Sequence, residues 1–139
     1  MRKNAAYLIG VVLFVLWTGT CTQDKKKVVA EGAANDWLKL VDAGNYAQSW
    51  DESASAMKAM LAREQWQNIL QVNRAPLGAP ASRKLKSAQY TEQLPGAPSG
   101  EYYVFEYAST FADNRVVTET VTPMLDKDGK WRVSVYYIK

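Results

Sequence analysis

Near Arg83 the chain changes period, and no other feature constrains its fold as much. Before that point apolar residues recur at helical spacing. Ala30, Ala33, Ala34, Trp37 and Val41 follow an i, i+3, i+4, i+7, i+11 pattern. Gly44 suits the position just past a helix end, where φ turns positive. Asn45 and Gln48 then have the spacing of a helix cap and its reciprocal partner. Tyr46, Trp50, Ala54, Met57 and Leu61 continue as a second stripe, and a third helix is expected over residues 63–73. Pro76 and Gly78 close the helical half. From Arg83 onward the alternation is strand-like. "RKLKSAQYTEQL", "EYYVFEYASTF", "VVTETVTPML" and "WRVSVYYI" read as four strands. They are joined by the loop "PGAPSG" and by turns at "ADNR" and "DKDGK". Helices followed by consecutive antiparallel strands predict an α+β domain, with about three N-terminal helices packed on a curved four-stranded antiparallel sheet.

Placing Asp113-Asn114 and Asp128-Gly129 as two-residue turns sorts the strands into faces. One face carries Tyr103, Phe105, Tyr107, Thr118, Thr120, Thr122, Trp131, Val133, Val135 and Tyr137. It has no charge and is expected to take the helices. The other carries Tyr102, Val104, Glu106, Glu119, Val121, Arg132, Ser134 and Tyr136. A slip of one residue in either turn would reverse this relation.

The first residues are read apart from the fold. "MRKN" is a basic start, residues 5–17 an apolar run too short for a comfortable span, and polar sequence follows "TGTC". Residues 1–21 are therefore expected to be a secretory or lipoprotein signal, 22–27 a polar tether, and 28–139 one domain. Cys21, the single cysteine, stands where a lipidated cysteine would stand, although Thr18 and Thr20 fit the flanking positions poorly. Lipidation there, cleavage nearby and an uncleaved anchor are the competing outcomes. The expected location is the periplasm or the membrane-anchored envelope.

Charge and composition exclude several function classes. The net charge is +3, and Arg2 and Lys3 supply two of those charges. The folded part is nearly neutral, which argues against nucleic acid as a partner. The absence of histidine removes His-based acid/base catalysis and histidine metal sites. No cofactor or metal is expected. Glu106 and Glu119 are the candidate acids: on one face of adjacent strands, two carboxylates could split their pKa values and act as acid and base. Arg132 would instead neutralise one of them. Arg74 and Arg83 are candidate anion-binding groups, or structural forks reaching the carbonyls of "PLG" and "LPGAPSG". The aromatic residues at helical spacing read as core.

"WLKLVDAGNYAQSW", "NRAPLG", "SRKLKSAQYTEQLPGAPSGEYYVFEY", "ADNR..VTETVT" and "DGKWRV..YYI" together resemble a bacterial exported family, domain of unknown function 4019. In that family the last strand usually ends Trp-Arg-Val-x-Gly-Tyr. Val135 stands in place of that glycine, which removes the residue that favours a bulge or close approach there. The resemblance implies a nuclear-transport-factor-2-like or cystatin-like cone fold. Such a fold hosts enzymes, binding domains and dimer modules alike, so it implies no activity. The expected function is a non-enzymatic envelope module that binds a protein or small ligand. A small enzyme using Glu106 or Glu119 and a structural homodimer are the alternatives.

Overall fold

A computed structural model describes residues 19–139; residues 1–18 of the expected signal segment, 1–21, lie outside them. Helix α1 (Gly19–Asp42) is followed by α2 (Tyr46–Asp51), α3 (Ser55–Met60) and α4 (Arg63–Asn73). A short 3-10 turn (Ala75–Leu77) leads to strands β1 (Ser82–Thr91), β2 (Tyr102–Thr110), β3 (Val116–Leu125) and β4 (Trp131–Ile138). The strands form one antiparallel sheet in the order β1-β2-β3-β4. The expected α+β architecture is the one observed.

α1 begins earlier than its apolar stripe. The lysines of residues 25–27 are good helix formers, and tertiary bonds hold this end. Tyr103 donates its hydroxyl to the Gln23 carbonyl at 2.9 Å, and Lys26 reaches Glu101 at 2.6 Å. The expected tether is therefore helical. α1 stops as expected: Gly44 has φ 76°. Its N–H donates to Val41 O, and that of Asn45 to Leu40 O, a Schellman closure of the last turn. The Asn45 side chain makes no cap bond, and Gln48 donates to Glu52 instead.

The second apolar stripe is broken into α2 and α3. The Ser53 hydroxyl donates to the Ser49 carbonyl at 2.6 Å, competing with the helix ladder. Ala54 then turns extended, and its N–H donates to Val133 O of the sheet at 2.8 Å. α3 restarts with the Ser55 N–H and hydroxyl on the Asp126 carboxylate. α4 has the expected bounds.

The core lies between the helices and one sheet face. Ala30, Ala34, Trp37, Leu38 and Val41 of α1 meet Trp66 and Leu70 of α4 over Tyr103, Phe105, Tyr107, Val121, Val133 and Tyr136. Trp37 and Tyr136 have ring centroids 5.2 Å apart, and Trp37 and Trp66 5.9 Å. Both indole N–H groups find buried acceptors on Ser49, at 2.8 and 3.0 Å. The residues of "WLKLVDAGNYAQSW" thus form a packed corner. Ile69, between Trp66 and Leu70 on α4, is 41% exposed.

Both short hairpins have three-residue loops, not two. Phe111 N–H donates to Arg115 O around residues 112–114, and Asp126 N–H to Lys130 O around residues 127–129. The last loop residue has positive φ in each: Asn114 at 60° and Gly129 at 78°. This is the turn-plus-left-handed-residue form of a three-residue hairpin. The first extra residue reverses the expected face of β3. Glu119 stands opposite Tyr107 and Val121 opposite Phe105, so both point at the helices. Thr118 and Thr120 take the outer face. The second extra residue brings Trp131 and Val133 back to the helix side. The register then shifts between Thr122 and Pro123, leaving Ser134 as an extra residue. That bulge forms without the glycine, and it turns Tyr136 and Ile138 inward. Pro123, with no N–H to give, sits at this irregularity.

Candidate functional site

Four ionisable side chains from four elements meet at the end of the helix-facing core. Asp42 ends α1, Arg74 follows α4, Arg83 lies in β1 and Glu119 in β3. Arg74 Nη2 donates to Asp42 Oδ1 at 2.7 Å. Arg83 grips the same carboxylate through Nη1 and Nη2, at 2.8 and 2.9 Å, and donates Nε to Glu119 Oε1 at 2.9 Å. Glu119 Oε1 also accepts the Ser109 hydroxyl, and Oε2 accepts the Tyr136 hydroxyl at 2.7 Å. Arg74 Nη1 donates to the Gly78 carbonyl, and the guanidinium lies 4.8 Å over the Phe111 ring. Arg74 Nε has no hydrogen-bond partner; Glu119 Oε2, at 4.0 Å, serves it only as a counter-charge.

Two positive and two negative charges cancel. The side chains of Glu119 and Arg74 are 0% and 1% exposed, those of Asp42 and Arg83 21% and 17%. Burial works against the Arg83 charge, but the Asp42 hydrogen bonds and the Glu119 charge outweigh it and hold the guanidinium above its ordinary value. Burial pushes the Tyr136 phenol well up, and the Glu119 charge adds to it. Tyr107 beside the network is pushed up to about 12, chiefly by burial. The Arg83 guanidinium and the Tyr136 and Tyr107 phenols therefore keep their protons at neutral pH.

Four of the sequence-derived candidates, Glu106, Glu119, Arg132 and Arg83, are reassigned by this arrangement. Glu106 and Glu119 do not form a pair, because the three-residue loop sends them to opposite faces. Glu106, half-buried on the outer face, accepts the Ser87 hydroxyl at 3.1 Å. Arg132 neutralises neither: it forks onto Asp128 with two 2.7 Å bonds and touches Asp126 at 3.4 Å, bracing the β3–β4 turn. Arg74 does reach the "PLG" carbonyl at Gly78, as expected. Arg83 turns inward and does not touch the "LPGAPSG" loop, which packs instead on Tyr102. Asp42 was missed. Its signal was a carboxylate in the last turn of a helix, where the helix dipole disfavours it unless a cation answers. Cys21 is exposed near the start of α1.

Of three cavities, two lie away from this network and the third borders it at Arg74 and Tyr136. A trough of about 770 Å³ runs between the start of α2 and α4. A second, of about 380 Å³, lies between α1, the end of α2 and the start of β4. An apolar groove of about 200 Å³ lies between α4 and β4, with Trp66, Ile69, Tyr136 and Ile138 among its walls. Glu106 and Glu119 line none of the three. Among the described residues no cluster of acids or cysteine could hold a metal ion, and no helix is long and apolar enough to cross a membrane.

No curated protein and no solved structure matches the sequence. A family model does, and it spans residues 33–136, from the middle of α1 to Tyr136 of β4, so all four members of the buried network fall within it. The chain belongs to that family, which is described as "Protein of unknown function (DUF4019)".

Proposed function

We propose that this chain is an exported, non-enzymatic binding module of the cell envelope, engaging a protein partner along its β4 edge. The observation that carries the non-enzymatic reading is the closure of the charge network. A catalytic acid or base must reach a substrate. Glu119 has both oxygens occupied and no route to solvent. Glu106 lines none of the three cavities described above.

The sheet ends in backbone groups of β4 that its neighbour strand does not pair. Thr118 and Lys139 exchange both hydrogen bonds, so by antiparallel alternation Tyr136 and Ile138 turn their N–H and C=O groups away from β3. Farther back on the same edge, Val133 O is already taken by Ala54 of the chain itself. The two sheet edges are guarded differently. β1 carries Lys84, Lys86 and a bulge, the usual protection against edge pairing. β4 has no charge between Arg132 and Lys139, and the apolar groove opens beside it with Ile69 and Tyr137 exposed. An uncharged extended segment fits such an edge by strand addition.

A photo-crosslinking residue at Tyr137 should trap one partner in cells, and Tyr137→Lys should weaken that association. The same adduct formed from a crosslinker at Gln89, on the guarded strand, would sink the assignment. A second copy of this chain is the other reading, because antiparallel pairing of β4 with itself is self-complementary. Light scattering separates the two. A strict monomer at high concentration removes the dimer and leaves the heterologous partner.

Export and anchoring rest on the basic and apolar start of the sequence and on the position of Cys21, which is exposed in the fold. Fractionation of cells carrying Cys21→Ser tests the anchor. Unchanged membrane association would exclude lipidation as its cause.

A further inference from the structure

The trough between α2 and α4 is walled by side-chain carboxamides. Asn45 and Gln48 stand on one side; Gln67, Asn68 and Gln71 stand on the other. Charge is nearly absent from it. Arg63 at one end is committed to Asp51 through two 2.8 Å bonds, which leaves Glu64 as the remaining charge. Gln48 is held by Glu52. Asn45 is placed as a helix cap yet makes no cap bond.

This composition selects a ligand class by elimination and by fit. A phosphate or carboxylate ligand calls for guanidinium or ammonium groups, and the one guanidinium is occupied. An apolar ligand calls for apolar walls, and these are polar. A carboxamide presents a donor and an acceptor side by side, and a pair of neighbouring hydroxyls presents the complement. Gln67 and Gln71 stand on successive turns of α4, roughly 5–6 Å apart at Cβ, a spacing comparable to one pyranose ring along an extended chain. A volume of about 770 Å³ admits more than one such ring.

We propose that this trough binds a neutral polyhydroxylated chain, a short oligosaccharide, held by the α2 and α4 carboxamides. The site is independent of the β4 edge, so either assignment stands or falls without the other.

The test uses the full chain in detergent, titrated by calorimetry with chitotriose, cellotriose and, as a charged control, inositol hexaphosphate. Saturable binding of at least one neutral sugar is expected, and preference between the two tells an acetylated glycan from a plain one. Gln67→Ala with Gln71→Ala removes two hydrogen-bonding groups and should weaken binding roughly 30-fold, at about 1 kcal/mol each. The melting temperature should stay nearly unchanged, because Gln71 is exposed and Gln67 half-buried, with neither in the hydrophobic core. Absence of binding by both sugars at millimolar concentration would overturn the proposal. So would binding that survives the double substitution, or a preference for the hexaphosphate.

Discussion

Glu119→Gln exchanges one carboxylate oxygen for an amide nitrogen at a side chain with no exposure. The shape is conserved, so the effect isolates charge and hydrogen bonding. Arg74 and Arg83 would be left facing Asp42 alone, with one positive charge uncompensated. The glutamine can offer its oxygen to Arg83 and Ser109, but its NH2 group then meets the Tyr136 hydroxyl, which loses its acceptor. Removing one partner of a buried ion pair costs about 3–5 kcal/mol, and the conserved packing places this case near about 3. A domain of this size has roughly 5–15 kcal/mol in total, so the variant should fold but melt roughly 12 °C lower, at about 4 °C per kcal/mol. Thermal melting and urea unfolding measure it, with the urea slope unchanged. The companion is Glu119→Gln with Arg83→Met, which restores charge balance and leaves the 2.7 Å Asp42–Arg74 pair. It should be less destabilised than the sum of the two single variants, with a coupling of about 1–3 kcal/mol. A single variant melting within about 3 °C of the parent would refute the claim that the network closes on Glu119.

Three further outcomes follow from the same geometry. Ser49→Ala removes the acceptor of the Trp66 indole N–H at 3.0 Å and should cost about 1–3 kcal/mol in chemical unfolding; no loss would mean the indole finds another acceptor. At Asp126 burial acts to raise the carboxyl, but bonds from Ser55 and Lys127 and the Arg132 charge outweigh it, so its value lies below the ordinary 3.8. The unfolded chain then takes up the proton first. Stability is intact above that value and declines as pH falls through the folded one, and Asp126→Asn should flatten the decline in acid unfolding curves. At the alkaline end Tyr107, pushed up from 10.0 to about 12 by burial, holds its proton longer than the unfolded chain does. Its contribution is complete below 10.0 and is lost as pH rises toward about 12, and Tyr107→Phe should remove the last resolved step but those of more strongly shifted tyrosines from the phenolate absorbance titration.

The helices and strands were legible because the 3.6 and 2.0 periods are local properties, and the bounds of α4 agree to the residue. The break between α2 and α3 was not legible, because its cause is tertiary: Ala54 gives its N–H to Val133, about eighty positions away. Arg74 was legible as a loop-carbonyl donor, since Gly78 lies four residues on. Its bond to Asp42 was not, because pattern alone does not bring a helix end and a post-helical arginine together.

The misplacement of Glu119 is the instructive case, because the turns were located correctly and a loop one residue longer than expected still gave the wrong face. The same residues turn the chain, Asn114 and Gly129 both at positive φ, but each closes a three-residue loop. A strand has period 2, so one added residue inverts every side chain beyond it. The first loop inverts β3, the second cancels that for Trp131 and Val133, and the bulge at Ser134 inverts what remains. Sorting faces by charge reinforced the error: the helix-facing side was expected to carry none, yet it holds Glu119 and Arg83 precisely because they neutralise each other there. A buried charge leaves no mark in hydrophobic periodicity, but its counter-charges do leave one in composition. Two arginines outside the helices and an aspartate at a helix end were already in view, each costly to bury alone. Pairing them with Glu119 balances all four charges, and that pairing turns a candidate catalytic acid into the member of a structural network.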